Sequence, residues 1–252
     1  MVKNNHSAGN RKTLDKLLRS ENSSDGHAFL PDILSHAQFW AQIENVLIVV
    51  SDMADGKSHI IAGGFASNFD IGDYQQENSI WESRILSLMS ADEQEEKYIA
   101  ELRFFHYLRH LPKSRRADYC LVSKLRFRFA DGDIRDVLHR MYYILDGNGE
   151  NVRYAICIYG PLPFDFKGKS YAVDSVTGIA EELSASGNDS ILSRRERQVL
   201  AMIDTGMKSA DIATRLNISI HTVSRHRQEI INKLQVKNTH EACRMAKSMG
   251  LL

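Results

Sequence analysis

The stretch ISIHTVSRHRQEIINKL, Ile218 to Leu234, concentrates the side chains of greatest chemical use in the chain. Wound as a helix at about 100° per residue, it divides into two sides. Val223, Ile230 and Leu234 share one. His221, Arg225, Gln228 and Asn232 gather opposite, with Ser224 and Glu229 on the shoulders. Arginine can pair bidentately with guanine, glutamine or asparagine with adenine, and serine or histidine with several base edges, so the outer side suits the reading of a major groove. The candidate base contacts are His221, Ser224, Arg225 and Gln228. Lys208, Ser209, Thr222, Arg227 and Lys233 are the candidate phosphate contacts, Arg227 and its neighbour His226 flanking the inner side.

Other chemistries find less support. No nucleophile–base arrangement, phosphate-binding glycine loop or dinucleotide signature is present, and no enzyme is expected. Cys120, Cys157 and Cys243 are scattered and lack metal-ligand spacing, which fits reduced packing thiols. His106 and His110 lie one helical turn apart, a spacing that can ligate metal, but an isolated pair reads as solvated or capped. The expectation is no metal and no cofactor.

Four short helices must position the reading side. Ser193 with Glu196 forms a capping box, followed by Val199, Leu200 and Ile203 at helical spacing until Gly206. A second helix, with Ser209 as its expected cap, buries Ile212, Ala213 and Leu216 and ends at Asn217. A tight turn through Ile218 leads to Ser219, the N-cap of the third helix. A fourth follows Asn238 and Thr239 and carries Ala242, Met245, Ala246 and Met249.

This segment resembles the LuxR-type helix-turn-helix of bacterial transcription regulators. The resemblance rests on Leu192, Ser193, Arg195, Glu196, Val199, Leu200, Gly206, Ile212, Ala213, Leu216, Ile218, Ser219, Thr222, Val223, His226, Ile230, Lys233 and Leu234. It implies that the third helix enters the major groove and that the fourth helps dimerise. Departures occur at Lys208–Asp211, where the family often has a polar SNKE, and at Ser224 and Glu229, so an operator sequence does not carry over. The helix-turn-helix of sigma factors shares the LSxRE opening, but nothing upstream resembles a promoter-melting sigma domain.

Upstream, the period changes. Ile33 to Ile43 reads as a helix bearing Phe39 and Trp40, Val46 to Val50 and His59 to Ala62 as strands, and Ile80 to Leu111 as mostly helical. Leu121, Ser123, Leu125, Phe127 and Phe129 then alternate with Lys124, Arg126 and Arg128, as in a half-buried strand. Turns at Asp131-Gly132 and Asp146–Gly149 lead to strands over Ile134–Leu145 and Val152–Tyr159, an antiparallel meander. The aromatics Phe127, Phe129, Tyr142 and Tyr143 read as core. The pattern resembles a PAS-type sensory domain. VVSDMADG has a likeness to a receiver's phosphoacceptor strand, but three consecutive long strands contradict a parallel sheet, and Asp52 reads as a strand-end residue. YAVDSVTGIAEEL is either a hairpin at Thr177-Gly178 or a connector helix.

The expected fold is α+β, a PAS-like antiparallel sheet with helices joined to an all-α four-helix domain. Residues 1–28 are expected as a mobile N-terminal segment, 29–182 as the PAS-like sensory or dimerisation domain, 183–190 as a linker and 191–252 as the helix-turn-helix domain. The chain's 32 basic and 32 acidic residues cancel, but 191–252 holds 11 Lys and Arg against 5 Asp and Glu, a basic tail on an acidic body that suits a polyanion. No signal peptide or membrane span is legible, and a cytoplasmic location is expected. The expected function is that of a sequence-specific, DNA-binding transcription regulator. Its expected partners are double-stranded DNA, a second copy of the chain, RNA polymerase and an unidentified small-molecule or protein signal at the upstream domain. The alternatives are an interaction module that binds a partner protein through the helix-turn-helix, and a response regulator with a degenerate receiver.

Overall fold

The computed structural model describes residues 11–12, 14–15, 17–18, 29–71, 73–149, 151–164, 166–183, 192–234, 236–249 and 251–252. Helix α1, Leu30–Glu44, carries Pro31 in its first turn and stops at Asn45, whose positive φ of 56° ends the helical hydrogen bonding. Strands β1 (Leu47–Asp52) and β2 (Lys57–Ala62) form a hairpin that turns through Gly56, also at positive φ. The chain then leaves β2 at Gly63. A β-carbon there would stand 2.1 Å from the Ala41 carbonyl oxygen and 2.5 Å from that of Val46, so only glycine lets the strand end pass this close to α1.

A short edge strand β3 (Gln76–Glu77) and helices α2 (Ser83–Ser87) and α3 (Ala91–His110) follow. The segment expected to be mostly helical from 80 to 111 is broken at Leu88–Ser90. Ser90 restarts it as an N-cap, accepting from the Glu93 amide at 3.2 Å. Strands β4 (Tyr119–Arg128), β5 (Ile134–Leu145) and β6 (Val152–Pro161) make the expected meander. The undecided segment after them is a hairpin, β7 (Ser170–Asp174) and β8 (Ala180–Glu182), turning at Gly178 with φ 75°.

All eight strands join one antiparallel sheet in the order β3-β2-β1-β6-β5-β4-β7-β8. The PAS-like nucleus is β2-β1-β6-β5-β4. Because successive strand residues face opposite ways, β1 serves two cores. Leu47 and Val49 face the main core with α2 and α3, while Val46, Ile48 and Val50 meet Ala37 and Ala41 of α1. This explains why β1 reads as an unbroken apolar run. The N-terminal segment contributes too. Leu14 and Leu18 are buried in the main core and Trp81 Nε1 donates to Asp15 at 3.1 Å, so these described residues depart from the expected mobility of 1–28. Most of the expected linker, 184–190, lies outside the described residues.

Asp52 closes β1, as expected of a strand end. It accepts from the Ala54 and Asp55 amides at 2.9 and 3.0 Å and pairs bidentately with the buried Arg153. Burial alone would raise its pKa, but these donors outweigh that and hold the carboxyl below its ordinary value.

The C-terminal unit is four helices: α4 (Arg194–Asp204), α5 (Ser209–Leu216), α6 (Ile220–Leu234) and α7 (Thr239–Ser248). One expectation fails in detail. Ser209 is the first residue of α5 and Lys208 stands at the cap position without a side-chain cap bond. The Ser209 hydroxyl instead accepts from Arg227.

Candidate nucleic-acid interface

The capping box at α4 forms in full: the Glu196 amide donates to Ser193 Oγ at 3.3 Å and the Ser193 amide to Glu196 Oε2 at 2.7 Å. That glutamate does more than cap. Its buried carboxylate also accepts from Lys233 Nζ at 2.8 Å, tying the start of α4 to the last turn of α6. Burial would raise the Glu196 pKa, yet Lys233 and the Ser193 amide hold it below the ordinary value.

The turn between α5 and α6 follows from two residues. Asn217 takes φ 51°, a left-handed conformation that asparagine tolerates, and ends α5. Ser219 Oγ then accepts from the Thr222 amide at 3.0 Å and caps α6. Half-buried Ile218 packs in the angle. Val223, Ile230 and Leu234 are all fully buried and hold α6 by its inner side against Leu192, Val199, Leu200, Ile212 and Ala246 of the shared core. Each such side chain contributes about 1.5–3 kcal/mol on burial.

With the inner side fixed, the outer side of α6 is presented to solvent. His221, Ser224, Arg225, Gln228 and Asn232 are exposed. Gln228 Nε2 donates to Asn232 Oδ1 at 3.0 Å, which sets the two amides edge to edge. Arg225 has no hydrogen-bond or ion-pair partner among the described residues. The four residues selected for base contact thus lie together on one exposed row, at i, i+3, i+4 and i+7.

The five residues selected for phosphate divide. Lys208 is exposed at the mouth of α5, and Thr222 and Ser209 sit half-buried in the first turns of α6 and α5. Arg227 and Lys233 are already engaged. Arg227 donates to Ser209 Oγ and to Thr239 Oγ1, each at 3.1 Å, bracing α6 against α5 and α7. Lys233 is the partner of Glu196. Sequence periodicity placed Arg227 beside the inner side, but the acceptors of both residues sit on other helices and could not be read from it.

Residues 190–246 match the sequence profile described as "Bacterial regulatory proteins, luxR family". The C-terminal unit is therefore a LuxR-type helix-turn-helix domain. The chain is similar to "Transcriptional regulatory protein RcsB" of Escherichia coli (strain K12), 38% identical over 73 residues, covering 29% of this chain and 34% of that protein. It is similar over the same length to "Oxygen regulatory protein NreC" of Staphylococcus haemolyticus, 34% identical over 73 residues with 29% and 34% covered. The chain thus spans about a third of the length of the curated relatives it matches. Among solved structures, the Vibrio cholerae VqmA dimer without target DNA aligns over 86% of this chain and 88% of that one, at 15% identity and a TM-score of 0.32. That score is below what establishes a shared fold.

The upstream domain holds polar groups that the sequence reading took no account of. Lys97 and Glu101 on α3 pair at 2.5 Å with both side chains buried. Glu82, Ser51 and Ser58 lie close by, Ser51 Oγ donating to Glu82 Oε1 at 3.4 Å. His139 stacks on Tyr159 with ring centroids 4.9 Å apart. Burial is the largest influence on the ionisable members: it pushes the Glu82 carboxyl and the Cys157 thiol up, and the His139 imidazole down. A signal was available in β5, where His139 shares every second position with Val137, Met141 and Tyr143 and so puts an imidazole on a core face.

The same helix α3 meets the C-terminal unit. Arg103 donates to the carbonyls of Leu183, at 2.9 Å, and Met249. His106 lies fully buried against the backbone of Lys233, so of the two readings of its pair with His110, solvated or capped, the solvated one is corrected. Burial, reinforced by His110, pushes its pKa down to about 3, and the imidazole stays neutral. His110 instead bonds the His106 carbonyl at 2.7 Å.

Proposed function

We propose that the protein is a sequence-specific DNA-binding transcription regulator in which α6 lies in the major groove. His221, Ser224, Arg225 and Gln228 meet base edges, and Lys208, Ser209 and Thr222 contact the phosphates at the groove's rim. The observation that carries this reading is the exposed row of donors and acceptors on α6, held outward by a fully buried opposite side. Arg227 and Lys233 act through the fold: their intramolecular bonds set the tilt of α6, and any phosphate contact they make is secondary to that.

A dimer places two such helices on half-sites about one helical turn, roughly 34–36 Å, apart. The surface that supports a dimer in the upstream domain is α1. Its inner side covers the sheet through Ala37 and Ala41, while Phe39, Trp40 and Ile43 stand exposed on the outer side. The regulatory route we infer is α3, which passes from the polar interior of the PAS-like domain to the carbonyl of Met249.

The reading is tested by selecting binding sites from random duplexes with the full-length protein, then measuring affinity against salt. Recovery of a two-fold repeat, with affinity falling steeply as salt rises, supports it. Failure to enrich any sequence, with salt-insensitive capture of a protein partner through the same helix, overturns it in favour of an interaction module.

A further inference from the structure

We propose that Glu101, His139 and Cys157 form a binding site for a divalent cation of zinc-like chemistry inside the PAS-like domain. The three are brought together by the fold alone. On the antiparallel pair β5–β6, His139 stands opposite Tyr159 and Met141 opposite Cys157, so His139 and Cys157 are diagonal neighbours on one sheet face. Glu101 comes down onto that face from α3. Their ligating atoms, a carboxylate oxygen, an imidazole nitrogen and a thiol sulfur, all lie within 4.8 Å of one another, and all three residues are buried.

A second observation points the same way. His139 is fully buried and neither ring nitrogen has a hydrogen-bond partner among the described residues. Leaving such a group unpaired in a core is costly, and a cation on the free lone pair satisfies it. Size then decides what kind of ligand fits. The adjoining cavity, lined by Glu101, Cys157, Lys97, Glu82 and Tyr143 among others, has a volume of only about 20 Å³. That is room for about one water or one ion and not for an organic molecule of several rings.

The donor set selects the metal. One sulfur, one imidazole and one carboxylate suit a borderline cation such as Zn²⁺ and not Mg²⁺ or Ca²⁺, which take oxygen. Zinc bonds of about 2.0–2.3 Å set tetrahedral ligands roughly 3.3–3.8 Å apart, so the three groups close by about 1 Å, a side-chain adjustment. Lys97 is the opposing charge. It holds one oxygen of Glu101, which leaves the other for the cation, and the buried Glu82 supplies a second carboxylate beside it. On binding, the metal–sulfur bond forms as the Cys157 thiol releases its proton to solvent. A water in the cavity completes the fourth position.

The test uses the untagged full-length protein, stripped with a chelator and titrated with Co²⁺. The expected result is a thiolate-to-cobalt charge-transfer band that saturates at one ion per chain and is abolished by Zn²⁺. Cys157→Ser removes the band, whereas Cys120→Ser and Cys243→Ser keep it. His139→Gln weakens binding by on the order of tenfold or more. Absence of a saturable band, or its survival in folded Cys157→Ser, overturns the site. Should Cys157→Ser fail to fold, X-ray absorption on the zinc-loaded wild type decides: a shell with one sulfur and one imidazole supports the proposal, and a shell without sulfur overturns it.

Discussion

Arg225→Ala is the sharpest probe of how α6 works. The side chain is exposed and makes no bond to any described residue, so its removal leaves no buried group unpaired. Stability should therefore stay within about 0.5 kcal/mol of wild type, as for surface changes away from packing features. On DNA the expectation is different. A bidentate arginine–guanine pair is worth about 1–3 kcal/mol of discrimination. At about 1.4 kcal/mol per tenfold, that is roughly a five- to 140-fold loss on the selected site. The assay is a fluorescence-anisotropy titration of wild type and variant on the selected duplex, on the three variants of the base opposite Arg225, and on random duplex, at several salt concentrations. Discrimination should collapse at one base position while affinity for random duplex changes little. Lys208→Ala is the control, with affinity lowered alike on every sequence and the salt slope reduced by about 1. If Arg225→Ala behaves as Lys208→Ala is expected to, Arg225 holds phosphate and the assignment of the outer row to bases is wrong.

The other expectations concern the frame that carries that row. Ser219→Ala removes the oxygen that accepts from the Thr222 amide and should destabilise the domain by about 1 kcal/mol in urea unfolding; an unchanged midpoint would mean water caps α6 equally well. Glu196 has its folded pKa held below its ordinary value of 4.5, so its bonds to Lys233 and Ser193 stabilise the fold above that pH and are lost as pH falls through the folded pKa. Glu196→Gln should melt lower than wild type at neutral pH, and the gap should close as the pH falls below the ordinary carboxylate value and through the folded one; a constant gap would show that the charge is not what matters. Trp40→Glu puts a charge into the exposed Phe39, Trp40 and Ile43 face of α1 and should shift the protein towards monomer in sedimentation equilibrium, with its melting temperature nearly unchanged. A dimer that survives this change is built on another surface.

What could be read from the chain, and what could not, divides along a physical line. Local chemistry was legible: the capping box at Ser193 and Glu196, the turn at Asn217, and the inner stripe of Val223, Ile230 and Leu234 all follow from spacings of a few residues. So was the meander, since alternation over 121–129 and glycine turns at 132 and 149 are also local signals. Sequence could not tell that Arg227 finds Ser209 and Thr239, or that Lys233 finds Glu196, 37 positions earlier. Those partners are set by how helices cross. The buried cluster of Lys97, Glu101, His139 and Cys157 was missed for the same reason. Taken singly, Lys97 and Glu101 read as surface charges, Cys157 as a packing thiol and His139 as one imidazole on a strand's core face, and only the pairing of β5 with β6 beneath α3 makes them neighbours.

That last juxtaposition bears on the proposed regulatory route, from the interior of the upstream domain to the C-terminal unit. Lys97 and Glu101 look into the PAS-like core, and Arg103 and His106, on the same helix, look towards the C-terminal unit. From residue 97 to 106 the helix rises about 14 Å at 1.5 Å per residue, short enough for the segment to move as one rigid piece. Coupling between distant sites is commonly 1–3 kcal/mol, and a charge-assisted hydrogen bond is worth about 1.5–3 kcal/mol. Gain or loss of the Arg103 bond to the Met249 carbonyl alone therefore matches the energy a regulatory switch needs. No long relay through the sheet is required. A change in what Glu101 holds can reach α7 and the end of α6 by reseating a single helix, provided that the two arrangements of α3 differ in that one contact.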